Sequence, residues 1–370
     1  MTKSTDFSNL TFLRNWFQRF LPNSQVVALA MILLVGSALI YWLSGLLTPV
    51  FASIVIGYLL EGLVGRIEQR QLPRLLGVYL VFSLFLTALG FVLFVLLPMV
   101  SSQTVELIQR IPEIAFSIQT EIMRLPEKHP EFFSDTRINE FMFAIQQDLL
   151  GYSQNILYGS AQSVAGLVSA IIYLFLVPMM VFFFLKDKRI ILDWLKQFLP
   201  SDRSLSIAVW QEVDLQIANY VRGKFLEVFI LWSSSYLTFM LLDLNYAMLL
   251  AVLMGLSVVI PYVGATLVTF PVIGVAYVQW SGSSGDEFMY LVIAYSLIQA
   301  IDGVVLVPLL FSEAVNLHPI AIIVAILFFG GIWGFWGVFF AIPLATLVKA
   351  VLTAWPRGTS ITSSTGSHSL

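Results

Sequence analysis

The sequence predicts an all-α polytopic integral membrane protein. About eight hydrophobic segments are expected, two of them broken or folded back as re-entrant hairpins, with a small helical region outside the bilayer. Three observations carry that expectation. Of the 370 residues, 58% are hydrophobic and 11% are charged, whereas a soluble globular chain carries about 25% charged residues. Several uncharged tracts exceed the ~20 apolar residues that cross a bilayer. The one substantial break in hydropathy, residues 99–163, has apolar side chains every three or four positions, the pattern of an amphipathic helix.

The same arithmetic excludes a soluble enzyme, a secreted disulfide scaffold and a disordered chain. The net charge of -3 argues against a basic nucleic-acid binder. The absence of cysteine removes disulfides, thiolate zinc sites, iron–sulfur clusters and thiol catalysis. His129, His318 and His368 are scattered, so neither a metal site nor a cofactor is expected.

In chain order, residues 1–25 form a polar segment with Lys3, Arg14 and Arg19, too long for a signal-peptide head. Phe12, Leu13, Trp16, Phe17 and Phe20 have the spacing of a surface-lying helix or belong to a loose tail. Residues 26–98 hold three membrane helices. The first ends near Leu46, the second starts at Leu47 with Pro49 in its first turn, and the third runs from Leu75 until Pro98 ends it. Residues 99–164 form a periplasmic amphipathic helical region, with eight acids and four basic residues across 99–163. The fourth helix is 165–185. Residues 186–224 are a polar amphipathic segment with seven basic and five acidic residues, and Ser201-Asp202 offers a helix cap within it. Residues 225–355 are the C-terminal membrane core, and 356–370 a Ser/Thr/Gly-rich tail.

Two tracts in that core are too long for one straight crossing. Tyr246 to Trp280 is 35 residues without a charge, about 52 Å of helix against a hydrocarbon layer of about 30 Å. Pro261-Tyr262-Val263-Gly264 interrupts it. Ile320 to Trp355 is interrupted by Gly330, Gly331, Trp333, Gly334, Trp336 and Gly337, with Pro343 beyond. Each tract crosses once with a kink or returns as a hairpin, and overlength favours the hairpin. Broken backbone at membrane depth survives only inside protein or beside water. Paired interruptions are the sequence pointer to a transport site; a proline kink and a glycine packing seam are the plainer alternatives.

Ionisable residues at membrane depth need a reason, because insertion there is costly. Asp302 lies near the middle of the span that begins at Phe288, and Gln299 sits one turn earlier on the same face. A carboxylate there binds a cation or alternates between protonated and ionised states, or it is a structural acid bonded to a neighbour. Tyr262 in the first break hydrogen-bonds a polar solute through its hydroxyl or simply packs there. Glu227 pairs at helical spacing with Lys224, read here as an interfacial ion pair. Glu61 snorkels from a helix end. Arg222 is an interfacial anchor or part of the pathway. Asn316 and His318 flank the start of the last tract, where His318 relays protons or ends the helix. The basic segments 1–25, 66–74 and 186–224 and the Lys349–Arg357 end place both termini in the cytoplasm.

Four strings give the chain a family likeness: Gln216-Ile-Ala-Asn-Tyr-Val-Arg-Gly223, Ile260-Pro-Tyr-Val-Gly264, Gln299-Ala-Ile-Asp-Gly-Val-Val-Leu-Val-Pro308, and Val315-Asn-Leu-His-Pro319 continuing through Gly330, Gly334 and Gly337 to Ala341-Ile-Pro343. In combination they resemble the AI-2E (autoinducer-2 exporter) transporter family of bacterial inner-membrane proteins, in its PerM-like permease branch. The likeness extends from about residue 20 to residue 355. It implies export of a small hydrophilic solute such as autoinducer-2, cation/proton antiport in some members with a proton or monovalent cation as partner, and homo-oligomers, pentamers among them. Many members carry Glu where Asp302 stands, and substrates vary across the family.

Three functions are open. The first is a secondary transporter whose pathway uses Asp302, Gln299, Pro261, Tyr262, Gly264, Gly334, Gly337 and Pro343, with Arg222, Glu227, Asn316 and His318 as further candidates. The second is a passive channel or scaffold subunit. The third, an intramembrane enzyme, lacks a His-Glu-x-x-His or Gly-x-Ser-x-Gly string. No Walker A string is present, so the chain itself does not hydrolyse ATP.

Overall fold

The computed structural model describes residues 24–123, 164–197, 204–261, 263–280, 286–311 and 317–354. Every regular element among them is helical. In order they are α1 (Ser24–Glu68), α2 (Arg74–Phe91), α3 (Leu97–Met123), α4 (Val164–Lys186), α5 (Lys188–Lys196), α6 (Ser204–Leu241), α7 (Ala247–Ser257), α8 (Val263–Trp280), α9 (Glu287–Ile301), α10 (Val307–Phe311), α11 (Pro319–Phe339) and α12 (Ala341–Ala354). Two π-helical segments, Val92–Leu96 and Asp302–Leu306, join α2 to α3 and α9 to α10. Six stretches among the described residues are long and apolar enough to cross a membrane. Large apolar side chains such as Phe94 (83% exposed) and Val304 (75%) point outward from them, as lipid-facing residues do.

The chain divides into two units. One comprises residues 48–188 and 218–316; the other comprises 1–47, 189–217 and 317–370. The first unit has two apolar cores. Leu60 and Val64 of α1, Val78 and Val81 of α2, and Val181 and Leu185 of α4 form one. The other joins Leu231 and Phe239 of α6 to Leu250 and Met254 of α7, Val272 and Val275 of α8, and Leu291 and Tyr295 of α9. In this unit α7 packs antiparallel-fashion back on α8, and both rest on α3. The turn between α6 and α7 puts Asp243 (φ 54°) and Tyr246 (φ 60°) in the left-handed region. Gln279 spans it, donating to the Asp243 carbonyl and accepting from Asn245 N–H, both at 2.7 Å. Gln103 on α3 then accepts the Leu249 N–H at 2.8 Å, filling one of the open donors at the start of α7. In the second unit α11 bends at Gly334 (φ 59°, ψ -137°) and packs on α12.

Three boundaries differ from the expectation. The first two membrane helices are one unbroken helix of 45 residues, with Pro49 inside it. Proline's fixed φ is a helical one; inside a helix it removes one donor and crowds the carbonyl four residues back, here that of Gly45, and the helix continues past it. Pro98 does not end the third helix. Its ring would clash with the carbonyl four residues back, that of Phe94. The wider π turn carrying Phe94 relieves this, with Leu97 N–H bonding five residues back to Val92, and α3 runs on through Pro98. Pro308 stands in the same relation to the second π segment, where Val307 N–H bonds to the Asp302 carbonyl. The fifth helix starts at Ser204, not near Phe225. Both long tracts break where expected, at 258–262 and at Gly334. The surface helix at residues 12–20, the Ser201-Asp202 cap, the amphipathic region beyond Met123 and the C-terminal tail lie outside the described residues.

Candidate functional site: a buried charge cluster at a broken hairpin

Tyr220, Lys224 and Glu227 follow one another at the spacing that puts them on one face of α6. That face is buried. Lys224 and Glu227 form an ion pair at 2.7 Å with side chains 5% and 3% exposed. The sequence places this pair correctly, but the structure makes it a buried pair where an interfacial one was expected. Burial comes from packing that no local pattern announces. Gly223 is one cause: a Cβ there would stand 2.9 Å from the Phe311 ring, so the glycine lets the end of α10 press against α6.

The ammonium of Lys224 also donates to the Val258 carbonyl at 2.9 Å. Val258 caps the C-terminus of α7, where carbonyls lack helical partners and the helix dipole favours a cation. Phe311 and Tyr220 turn ring faces to Lys224 Nζ at 5.0 and 6.0 Å, cation–π distances. One ammonium thus ties α6 to the tip of the α7–α8 hairpin and to the end of α10.

Asp302 opens the second π segment and is 8% exposed. Its Oδ1 is buried and has no hydrogen-bond partner among the described residues. Its carboxylate lies within electrostatic reach of both Lys224 and Glu227. A buried polar atom left open normally marks strain, an unseen water or ion, or chemistry. The helix ahead of it carries a directed chain of hydrogen bonds of its own. Gln299 Nε2 donates to the Tyr295 hydroxyl at 3.0 Å and approaches Met254 Sδ at 3.6 Å. The Thr269 hydroxyl donates to the Ala265 carbonyl at 2.9 Å, so the 2.7 Å contact between Tyr295 and Thr269 has Tyr295 as donor.

The hairpin beside the cluster closes on Gly264. A Cβ there would overlap the Ser257 carbonyl, so only glycine lets the two arms meet this closely. Pro261 lies in the break, its carbonyl accepting Val263 N–H at 2.7 Å. Tyr262 and Asn316 lie outside the described residues. Asp302, Gln299, Glu227, Pro261 and Gly264 therefore belong to one unit, with Pro261 and Gly264 at the tip of its hairpin. Arg222 faces another way: it is exposed, and its guanidinium lies over Gly62 of α1, where a Cβ would come within 2.7 Å of Nε. Glu61 does not merely snorkel. It pairs with Arg74 at 3.0 Å and Lys188 at 3.3 Å, while Arg74 also reaches Glu68 and the Leu185 carbonyl.

The other candidates belong to the second unit. Gly334 supplies the positive φ of the bend, and Gly337 comes back against the Phe329 carbonyl so closely that a Cβ would overlap it. Aromatic stacking of Phe329 on Trp333 (5.6 Å) and of Trp336 on Phe340 (6.2 Å) lines the bend. The Pro343 carbonyl accepts the Thr346 hydroxyl at 2.7 Å. His318 caps α11, its Nδ1 accepting Ile320 N–H at 3.3 Å, which matches the helix-end reading of that residue.

Sequence reasoning missed Lys224 as a centre, and it missed Tyr295, Thr269, Met254 and the Val258 carbonyl altogether. The only available signal was a lysine and a glutamate three apart at the mouth of an uncharged tract. Among the described residues no group of three His, Asp or Glu side chains could hold a metal ion.

Comparison with known proteins bears on what such a cluster serves. The model of the AI-2E family transporters matches residues 29–357. The chain belongs to the AI-2E transporter family. PerM of Escherichia coli (strain K12), named as a permease, is 43% identical over 94% of this chain and 98% of its own length. YueF of Bacillus subtilis (strain 168), named as a transport protein, is 25% identical over 84% of each chain. A more distant AI-2E relative, the AI-2 transport protein TqsA of Escherichia coli (strain K12), is 22% identical over 85% of this chain and 88% of its own. With this AI-2E membership and its long apolar helices, the chain is a multi-pass membrane protein of a transport family.

Proposed function

We propose that this protein is an inner-membrane secondary transporter. It moves a small hydrophilic solute, autoinducer-2 or a related metabolite, and couples that movement to a proton or cation gradient through Asp302. Both termini lie in the cytoplasm, and the working form is a homo-oligomer. One observation carries the reading: a buried carboxylate with an open oxygen lies within electrostatic reach of a buried ion pair whose ammonium bonds a carbonyl at the tip of a broken hairpin. Such a place binds and releases an ion at membrane depth, and the change in charge alters what holds the hairpin tip. The two breaks supply backbone that a polar solute can hydrogen-bond. The name of TqsA makes autoinducer-2 the first solute to try.

The test is solute flux in proteoliposomes of the purified protein under an imposed pH or sodium gradient, repeated with Asp302→Asn. Gradient-driven flux that disappears in the variant is the expected result. Flux indifferent to both gradient and substitution would turn the reading to a passive channel, the alternative the sequence leaves open.

A further inference from the structure

Lys224 holds a position that a metal cation would otherwise suit. Its Nζ has a carboxylate oxygen of Glu227 at 2.7 Å and the Val258 carbonyl at 2.9 Å. Carbonyls of interrupted helices, with buried acids beside them, are what coordinates monovalent ions inside transporters. Here a side-chain ammonium is anchored in that place by its own backbone. It is 4% exposed and further enclosed by the rings of Phe311 and Tyr220.

The charge count follows. Glu227 is bonded to the one ammonium, and the Asp302 carboxylate lies within its electrostatic reach without bonding it. The other titratable groups of the cluster are phenols, Tyr220 on α6 and Tyr295 on α9. Ionisation of both acids leaves one negative charge uncompensated in a low-dielectric place. A proton on Asp302 cancels it without a coordination shell. A sodium ion needs several oxygens at once, and the best two are already engaged by Lys224.

We propose that Lys224 is a tethered stand-in for a metal cation, so that the ion exchanged at Asp302 is a proton and sodium is excluded. Removing Lys224 would open a place for a monovalent cation between Glu227 and the Val258 carbonyl, within electrostatic reach of Asp302. The inference deepens the transport reading and rests on it for the purpose of the ion, but its chemistry is tested without flux.

Radioactive sodium binding is measured on the full-length detergent-solubilised protein at mildly alkaline pH. The variants are Asp302→Asn, Lys224→Arg, Lys224→Gln and Lys224→Gln with Asp302→Asn. The wild type and Lys224→Arg are expected to show no saturable binding. Lys224→Gln is expected to bind sodium saturably, and adding Asp302→Asn to weaken that binding about tenfold or more, about 1.4 kcal/mol. Infrared spectra of the wild type should show a protonated-carboxyl band that is lost in Asp302→Asn. Saturable sodium binding by the wild type that Asp302→Asn removes would overturn the proposal while leaving coupled transport standing, with sodium as its ion. A folded Lys224→Gln that binds no sodium would also overturn it. Should Lys224→Gln fail to fold, the wild-type titration and the infrared band decide. Loss of flux with these results intact would instead count against the transport reading alone.

Discussion

The two broken tracts solve one geometric problem by different chemistry. In each, a glycine of the returning arm meets a carbonyl of the outgoing arm: Gly264 on Ser257, Gly337 on Phe329. In each, an interrupted helix leaves backbone groups to be satisfied. At the first tip the remedy is a charge, the Lys224 ammonium on the Val258 carbonyl. At the second it is steric: Gly334 takes a backbone conformation that side chains disfavour, and stacked Phe and Trp rings fill the bend. A tip held by charge responds to ions; a tip held by shape does not. The first hairpin is therefore where ion chemistry can act, although both look alike as apolar tracts with a soft centre.

Five substitutions sharpen or break that contrast. The largest effect belongs to Lys224→Met, which strands Glu227 without a counter-charge. Thermal melts in detergent should show a loss of about 3–5 kcal/mol, and Lys224→Met combined with Glu227→Leu should recover most of it. Gly264→Ala comes next, at about 1–3 kcal/mol or more, because the obstacle is a backbone carbonyl that cannot change rotamer. Gly337→Ala should match it, and a clear mismatch between the two would show that the hairpins are not closed alike. Gly334→Ala has open space around the new methyl group, so only backbone strain is felt, about 1–3 kcal/mol and less than at Gly337. His318→Ala should be smallest, about 0.5 kcal/mol, since it removes one long, exposed cap bond. Limited proteolysis near residue 318 should report that fraying, while the protonated-carboxyl band assigned to Asp302 stays as in the wild type.

The fold class, the site of both breaks and the buried acid Asp302 were legible in the sequence because each is a one-dimensional signal. Charge-free length, Pro261, the Gly330–Gly337 cluster and a lone Asp302 need no partner to be noticed. Lys224 was not legible as a centre. What makes it one is contributed by Val258 and Phe311, far along the chain, and by Gly223, whose missing side chain admits them. Prolines misled in the opposite direction. Pro49 and Pro98 read as boundaries, yet one sits in an unbroken helix and the other follows a π segment that absorbs its ring. Residues 124–163, read as part of an amphipathic region, lie outside the described residues.

The π segment at Asp302–Leu306 has a consequence for angular phase. An ideal α-helix turns about 100° per residue, so residues 302 and 311 would face opposite sides, about 180° apart. A π turn acts as one extra residue in the helix, and removing that residue from the count leaves them about 80° apart. Asp302 and Phe311 are both buried, and Lys224 sits within reach of each. The acid and the ring that cages the ammonium therefore share a side only because the helix is out of step with itself by one residue. Deleting a single residue from 303–305 would restore the ideal pitch and turn one of the two outward, with every side chain of the cluster still present in the sequence.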